Sequence, residues 1–301
     1  MTLETYTHPK NSKPQFLNNL APSIFKYVAS KAKARKMMAS GELLVNGEKV
    51  GYDVRVFPGD VITRHELAGK AKVKINRKVY QEKIEVVFED DHMAILNKPG
   101  GLPVNGNLFK TLENTLPFNL KPSKEKDALD IMRPLHRLDG PTCGLVLVAK
   151  TERAQVIMGQ QFEQKTIRKR YKAVVIGKLK NEKGSIDTPI EGKPCLTEYE
   201  VENTSRSAKY NDLTLVNLYP VTGRTHQLRI HMSEMGHPVI GDKFYSDDND
   251  ITNGKGLMLC SDKVWFKHPI TNKPIEVEID IPNKFRKYME REAHYASKKF
   301  N

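Results

Sequence analysis

Acidic residues are the clearest shortage in this chain: 36 Asp and Glu stand against 49 Lys and Arg in 301 residues, a formal charge of +13. That balance disfavours basic partners and points to a polyanion. Cysteine is scarcer still. Cys143, Cys195 and Cys260 are odd in number, far apart and without CxxC spacing, so neither a disulfide framework nor a zinc knuckle is indicated. No HExxH pair occurs, no apolar run reaches the ~18 residues of a membrane span, and Met1-Thr2-Leu3-Glu4-Thr5 has no hydrophobic signal core. These absences predict a soluble protein of the reducing cytoplasm with no membrane contact and no metal; a monomer is expected, with the oligomeric state left open by the sequence.

What is abundant is clustered positive charge, at Lys26 to Lys36, Lys70 to Lys83 and Lys165 to Lys172. Residues 1–14, polar with two prolines, read as a mobile arm. Residues 15–66 read as a compact unit. Phe16, Leu17, Leu20, Ile24, Phe25 and Val28 share a helical stripe interrupted near Pro22, and Ser30 offers an N-cap for a second helix that stops before Gly41. Asn46-Gly47 between Leu43-Leu44-Val45 and Glu48-Lys49-Val50 is a hairpin signal, followed by a strand near Val54–Val56 and a turn at Pro58-Gly59-Asp60 before Val61-Ile62. In that order of elements the unit resembles the S4 RNA-binding domain. The resemblance implies that the second helix, carrying Lys31, Lys33, Arg35 and Lys36, grips phosphates of structured RNA, a contact that gives affinity without reading bases. Residues 67–82, basic and poor in large apolar side chains, read as a linker.

From residue 83 to 301 the pattern is α+β. Ile84–Phe88 and Met93–Leu96 form a predicted hairpin, Asn97 to Val104 with its prolines and glycines a shaped loop, and 105–134 a polar excursion with a short helix near Leu112–Leu116. Leu145–Ala149 is a buried strand. Thr151 caps a helix with Ala154, Ile157, Met158, Gln161 and Phe162 on one face, and Arg168–Gly177 starts basic and ends apolar. Further strands are predicted at Leu196–Val201, Leu213–Tyr219, Leu257–Ser261 and Ile275–Ile281, a loop opening a helix at Gly223–Gly236, and a charged helix at Asn283–Ala296. Many strands with few crossover helices predict a mixed, largely antiparallel sheet.

An Asp on a Gly-Pro turn is ordinarily a turn residue. Asp139 has unusual company: His136 and Arg137 precede it, and Gly144 and the apolar strand fix its backbone. The set Asn97-Lys98-Pro99-x-Gly101-Leu102, His136-Arg137-Leu138-Asp139-x-x-Thr142-x-Gly144, Lys169-x-Tyr171-x-Ala173-x-Val175-x-Gly177 and Gly223-Arg224-Thr225-His226-Gln227-Leu228-Arg229-x-His231 resembles the RluA-type pseudouridine synthases over about 83–281. Three positions depart from the commoner pattern: Gly140 for Arg, Cys143 for Ser and Asn105 for His.

The resemblance implies the isomerisation of uridine in structured RNA, ribosomal RNA of the large subunit before transfer RNA, with no cofactor. It implies Asp139 as nucleophile, Arg224 as its counter-ion, Tyr171 as the ring stacked on the target base, Arg137 as the side chain entering the RNA stack when the base turns out, and Leu228 as an apolar floor. His136 and Thr142 join them as substrate contacts. Whether Asp139 attacks C1′, attacks the base or assists elimination at the sugar stays open, since a carboxylate suits each route. Two other functions fit the same residues. A non-catalytic RNA-binding or ribosome-assembly factor would leave no modified site, and an N-glycoside hydrolase would release free uracil.

Overall fold

A computed structural model describes residues 2–25, 27–28, 30–65, 78–247 and 256–300. It divides into two compact units, Met1–Asn76 and, from Arg77 on, a larger one that takes in all but one helical turn of the rest.

In the smaller unit, strands β1 (Thr2–Thr7) and β2 (Gln15–Phe16) precede helices α1 (Leu17–Ile24) and α2 (Lys31–Ser40), followed by β3 (Leu43–Val45), β4 (Glu48–Lys49), β5 (Arg55–Val56) and β6 (Val61–His65). The N-terminal arm is therefore a strand. Thr2–Thr7 pairs antiparallel with β6 along its length, because Thr-Leu-Glu-Thr-Tyr-Thr is rich in β-formers and adds the edge of a four-stranded sheet ordered β1-β6-β3-β4. Pro22 does not interrupt α1, which ends two residues later at Ile24. The Ser30 side chain accepts from the Lys33 N–H, and Gly41 closes α2 at φ 78°. Asn46 and Gly47 take φ 51° and 83°, the left-handed pair that a two-residue hairpin needs. Asn46 reaches Asp60, 2.8 Å from its Nδ2, and its Oδ1 accepts from the Val61 N–H, tying hairpin to closing turn. Bonds from the Phe57 N–H and Asn46 hold the Asp60 carboxyl below its ordinary range. Leu17, Phe25, Met38, Leu43 and Ile62 form the core.

The predicted linker falls largely outside the described residues, but its last part belongs to the larger unit: Tyr80 N–H donates to Asn114 O and Asn119 Nδ2 to Glu82 O. That unit holds β7 (Glu85–Glu89), β8 (Met93–Lys98), α3 (Leu112–Asn119), β9 (Ala128–Pro134), β10 (Cys143–Thr151), α4 (Glu152–Glu163), β11 (Arg168–Ile176), β12 (Lys183–Ile186), β13 (Thr197–Ser207), β14 (Asn211–Pro220), α5 (Gln227–Glu234), β15 (Leu259–Lys267), β16 (Pro274–Glu278) and α6 (Asn283–Phe300). The stretch 105–134 is not a loose excursion. Leu112 and Leu116 of α3 are fully buried, and β9 pairs with β10.

The sheet runs β12-β13-β14-β11-β15-β10-β8-β7, with β16 on β15 and β9 on β10. Every pairing is antiparallel except β10 with β15, so the sheet is mixed and largely antiparallel, as the pattern predicts. Strand alternation distributes its apolar residues over two faces. Val146, Val148, Tyr171, Ala173 and Val175 join one core, while Val174, Leu213, Leu215 and Cys260 join a second with Phe285, Tyr288 and Met289 of α6. The C-terminal helix is thus longer than its charge suggests and buries one stripe.

The parallel contact positions the site. Gly144 has φ 112°, and a Cβ there would lie 2.2 Å from Ser261 O. Only glycine lets β10 approach β15 so closely. Gly144 faces Ser261, and Ser261 in turn faces Tyr171 on β11. The turn before β10 is thereby fixed two strands from Tyr171.

Candidate active site

The turn Arg137–Thr142, the start of β11 and the segment 220–229 line a pocket of about 140 Å³. Local bonds shape each wall. Thr142 N–H closes the turn on Asp139 O at 3.1 Å, and Gly101 N–H donates to Gly140 O at 2.7 Å. Lys98, fully buried at the end of β8, donates from Nζ to the carbonyls of Pro99, Leu102 and Gly140 at 2.9, 2.8 and 3.1 Å. One ammonium thus clasps the Lys-Pro loop to the Asp139 turn, and burial pulls its pKa down to about 8. The opposite wall is held by Gln227, whose Oε1 accepts from Thr222 Oγ1 and Arg224 N–H and whose Nε2 donates to Leu196 O and Thr197 Oγ1. His231 bonds Thr197 Oγ1 and Thr188 O at 2.9 and 3.1 Å, a purely structural use of the ring.

Asp139, one-fifth exposed, has two neighbours of opposite potential charge: Arg229 Nη1 is 3.6 Å from Oδ2 and His226 Nε2 is 3.8 Å from Oδ1. Arg224 is not its partner. That side chain is exposed at the rim, with Nη2 3.5 Å from Pro194 O. The reason is helix phase. Arg224 precedes α5, His226 takes a left-handed φ of 55°, and Arg229 then falls in the first turn facing inward. Arg229 is 2% exposed and grips Asp242 through Nε and Nη2 at 2.6 and 2.7 Å, a two-pronged pair that leaves Nη1 aimed at Asp139 without a hydrogen bond. Burial works against that guanidinium's charge, but Asp242 outweighs it and raises its pKa. Burial likewise opposes the Asp242 carboxylate, and the Arg229 bonds still hold it below the ordinary range. His226 Nδ1 lies 2.9 Å from the Tyr245 hydroxyl, and its ring stacks on Phe244.

Tyr171 lines the same pocket. Burial raises its pKa well above the ordinary phenol value, and the Asp139 carboxylate adds to the rise. Leu228 and Leu259, both buried, supply apolar wall, Thr142 reaches the pocket, and Arg137 stands exposed at its edge. His136 does not line it. Its Nε2 accepts from the Leu147 N–H at 3.1 Å, so it ties the turn to β10, and burial with Lys169 close by pushes its pKa down to about 3.

On a strongly basic chain the pocket sets a carboxylate and a phenol together, the groups of an enzyme that does nucleophilic or acid–base chemistry. Residues 92–234 match the RNA pseudouridylate synthase family. The chain is 32% identical over 271 residues to the uncharacterized RNA pseudouridine synthase YhcT of Bacillus subtilis, covering 84% of this chain and 86% of the relative. It is 36% identical to the dual-specificity RNA pseudouridine synthase RluA of Pasteurella multocida, over 63% of this chain and 90% of the relative. Identity to the ribosomal large subunit pseudouridine synthase C of Vibrio vulnificus is 30%, over 86% and 87%. Among solved structures, human RNA pseudouridylate synthase domain containing 1 superposes with a TM-score of 0.56 at 25% identity, over 67% of this chain and 84% of that one. The chain belongs to the RNA pseudouridine synthases of the RluA type, and it is an enzyme that isomerises uridine in RNA.

Proposed function

We propose that the substrate is ribosomal RNA of the large subunit and that Asp139 is the nucleophile. The observation that carries the second part is the position of the Asp139 carboxylate, 3.6 Å from a buried guanidinium that is itself locked on Asp242. A guanidinium fixed in this way places its positive charge beside one oxygen of the carboxylate. The reaction breaks N1–C1′ and joins C5 to C1′; the proton on C5 leaves and N1 gains one, so nothing is added or lost. Asp139 opens the step at the sugar or at the base. Tyr171 lays a neutral ring against the uracil, and its raised pKa makes the phenol a donor rather than a base. Leu228 forms the apolar floor, Thr142 contacts the base or ribose, and Arg137, at the edge, fills the stack that the base leaves. Arg224, at the rim, meets a phosphate.

The smaller unit is read as an S4-type RNA grip. Lys31, Arg35 and Lys36 are exposed along α2, beside a hairpin stiffened by Asn46 and Asp60. The large-subunit target rests on the ribosomal name carried by a relative that matches nearly the whole chain.

The test is a carbodiimide map of pseudouridine in total RNA from strains with and without the gene, the latter complemented by wild type or by Asp139→Asn. Loss of a large-subunit site restored by wild type alone is the expected result, with the variant at least about a thousandfold slower and RNA binding kept. A lost site in transfer RNA, or full activity of Asp139→Asn, contradicts the respective part.

A further inference from the structure

Isomerisation concerns one base, yet a second, larger cavity of about 280 Å³ shares the walls Lys169, Pro220, Thr222 and Gly223 with the first. Its own walls are of two kinds. Lys165, Arg168 and Lys169 line it, and so do Glu163 and Glu198. None of Lys165, Arg168, Glu163 and Glu198 enters an ion pair among the described residues. Glu198 is exposed and lies directly across from Tyr219 in the β13–β14 register, so a carboxylate and an aromatic ring adjoin at the end of the sheet. Val221, 39% exposed, extends the apolar part.

We propose, resting on the uridine-isomerase reading, that this cavity binds the nucleotide adjacent in sequence to the target uridine and selects a base that carries an amino group. Two cavities with a common wall suit two consecutive nucleotides, whose shared phosphate meets Lys169 on that wall. Carboxylates repel a phosphate, so the base occupies the side that holds Glu198 and packs on Tyr219 and Val221. A carboxylate only accepts hydrogen bonds. It therefore favours the amino edges of adenine, cytosine or guanine, and a uracil edge, whose N3–H lies between two carbonyls, is disfavoured. This is recognition of a splayed nucleotide, the usual route to sequence choice in RNA.

The experiment uses the full chain and a hairpin RNA around the mapped target uridine, synthesised with each of the four bases before and after it. With wild type, uridine at one of the two neighbouring positions should lower kcat/KM about tenfold or more, the scale of one good base contact. Glu198→Ala should reduce that preference to within about threefold by lowering kcat/KM on the preferred RNAs, and Lys165→Ala should raise KM for all four bases alike. Arg168 lies over the Trp265 ring at 5.6 Å, so a melting curve accompanies any Arg168→Ala measurement. Wild type indifferent to both neighbours, or Glu198→Ala with the wild-type preference, overturns the proposal. Failure of the underlying reading is distinct, because wild type would then form no pseudouridine in any of these RNAs.

Discussion

The two units use positive charge in opposite ways. In the smaller one Lys31, Arg35 and Lys36 sit exposed on one short helix, whereas in the larger one Lys98 and Arg229 are buried and held, on three carbonyls and on Asp242. Exposed cations neutralise phosphates one by one and are screened by salt. Buried cations are useful only with their partners in place, and removing one partner strands the other. The first arrangement suits the proposed grip on RNA; the second sets a charge beside a carboxylate.

The same contrast holds for glycine, and it yields the largest expected effect on stability. Gly144→Ala would drive a Cβ into the backbone of Ser261 at a φ of 112°, while Gly47→Ala in the small unit meets nothing within 4 Å at φ 83°. Chemical denaturation should show a loss of about 3 kcal/mol or more for the first and about 1–2 kcal/mol for the second, the cost of a left-handed non-glycine residue. Equal losses would break the comparison.

A smaller effect separates grip from chemistry. The triple variant Lys31→Ala, Arg35→Ala, Lys36→Ala should weaken RNA binding and make the log–log salt dependence shallower by about two to three. Single-turnover rate at saturating RNA should stay at the wild-type value.

A further effect is on acid stability. His136 is held neutral, with a pKa pushed down to about 3 from 6.5, so below about pH 6.5 the unfolded chain binds the proton that the folded one refuses. Its contribution to stability is therefore complete above that pH and is lost as pH falls towards 3. His136→Gln, which keeps an acceptor for the Leu147 N–H, should flatten the decline of melting temperature between pH 6.5 and 4.

Much of the site was legible because its residues cluster in short motifs. Asp139, Thr142, Tyr171 and Leu228 all line the pocket, and Arg137 stands at its edge. Arg229 was not selected, since Gly223-Arg224-Thr225-His226-Gln227-Leu228-Arg229 offers two arginines and spacing alone does not say where the helix begins. The deciding signals are the left-handed His226 and Asp242, which lies beyond the motif and beyond the family match at 92–234. His136 departs from the expectation for the opposite reason: a residue beside the Asp139 turn can serve the strand after it. The missed strands share a cause too. Thr2–Thr7 has few apolar residues, Ala128–Pro134 carries Leu129, Ile131 and Met132 without strict alternation, and each strand has a single named partner, so pairing more than burial defines them.

The claim most exposed to test is that Arg229, not Arg224, holds the Asp139 carboxylate. Arg229→Lys and Arg224→Lys should be compared in single-turnover reactions on the mapped RNA at saturating enzyme, each with its melting curve. Lysine lacks the fork that binds Asp242 and Asp139 together, so Arg229→Lys should slow product formation by about a hundredfold or more while Arg224→Lys stays within about threefold. A slow Arg224→Lys beside a near-normal Arg229→Lys would contradict the account.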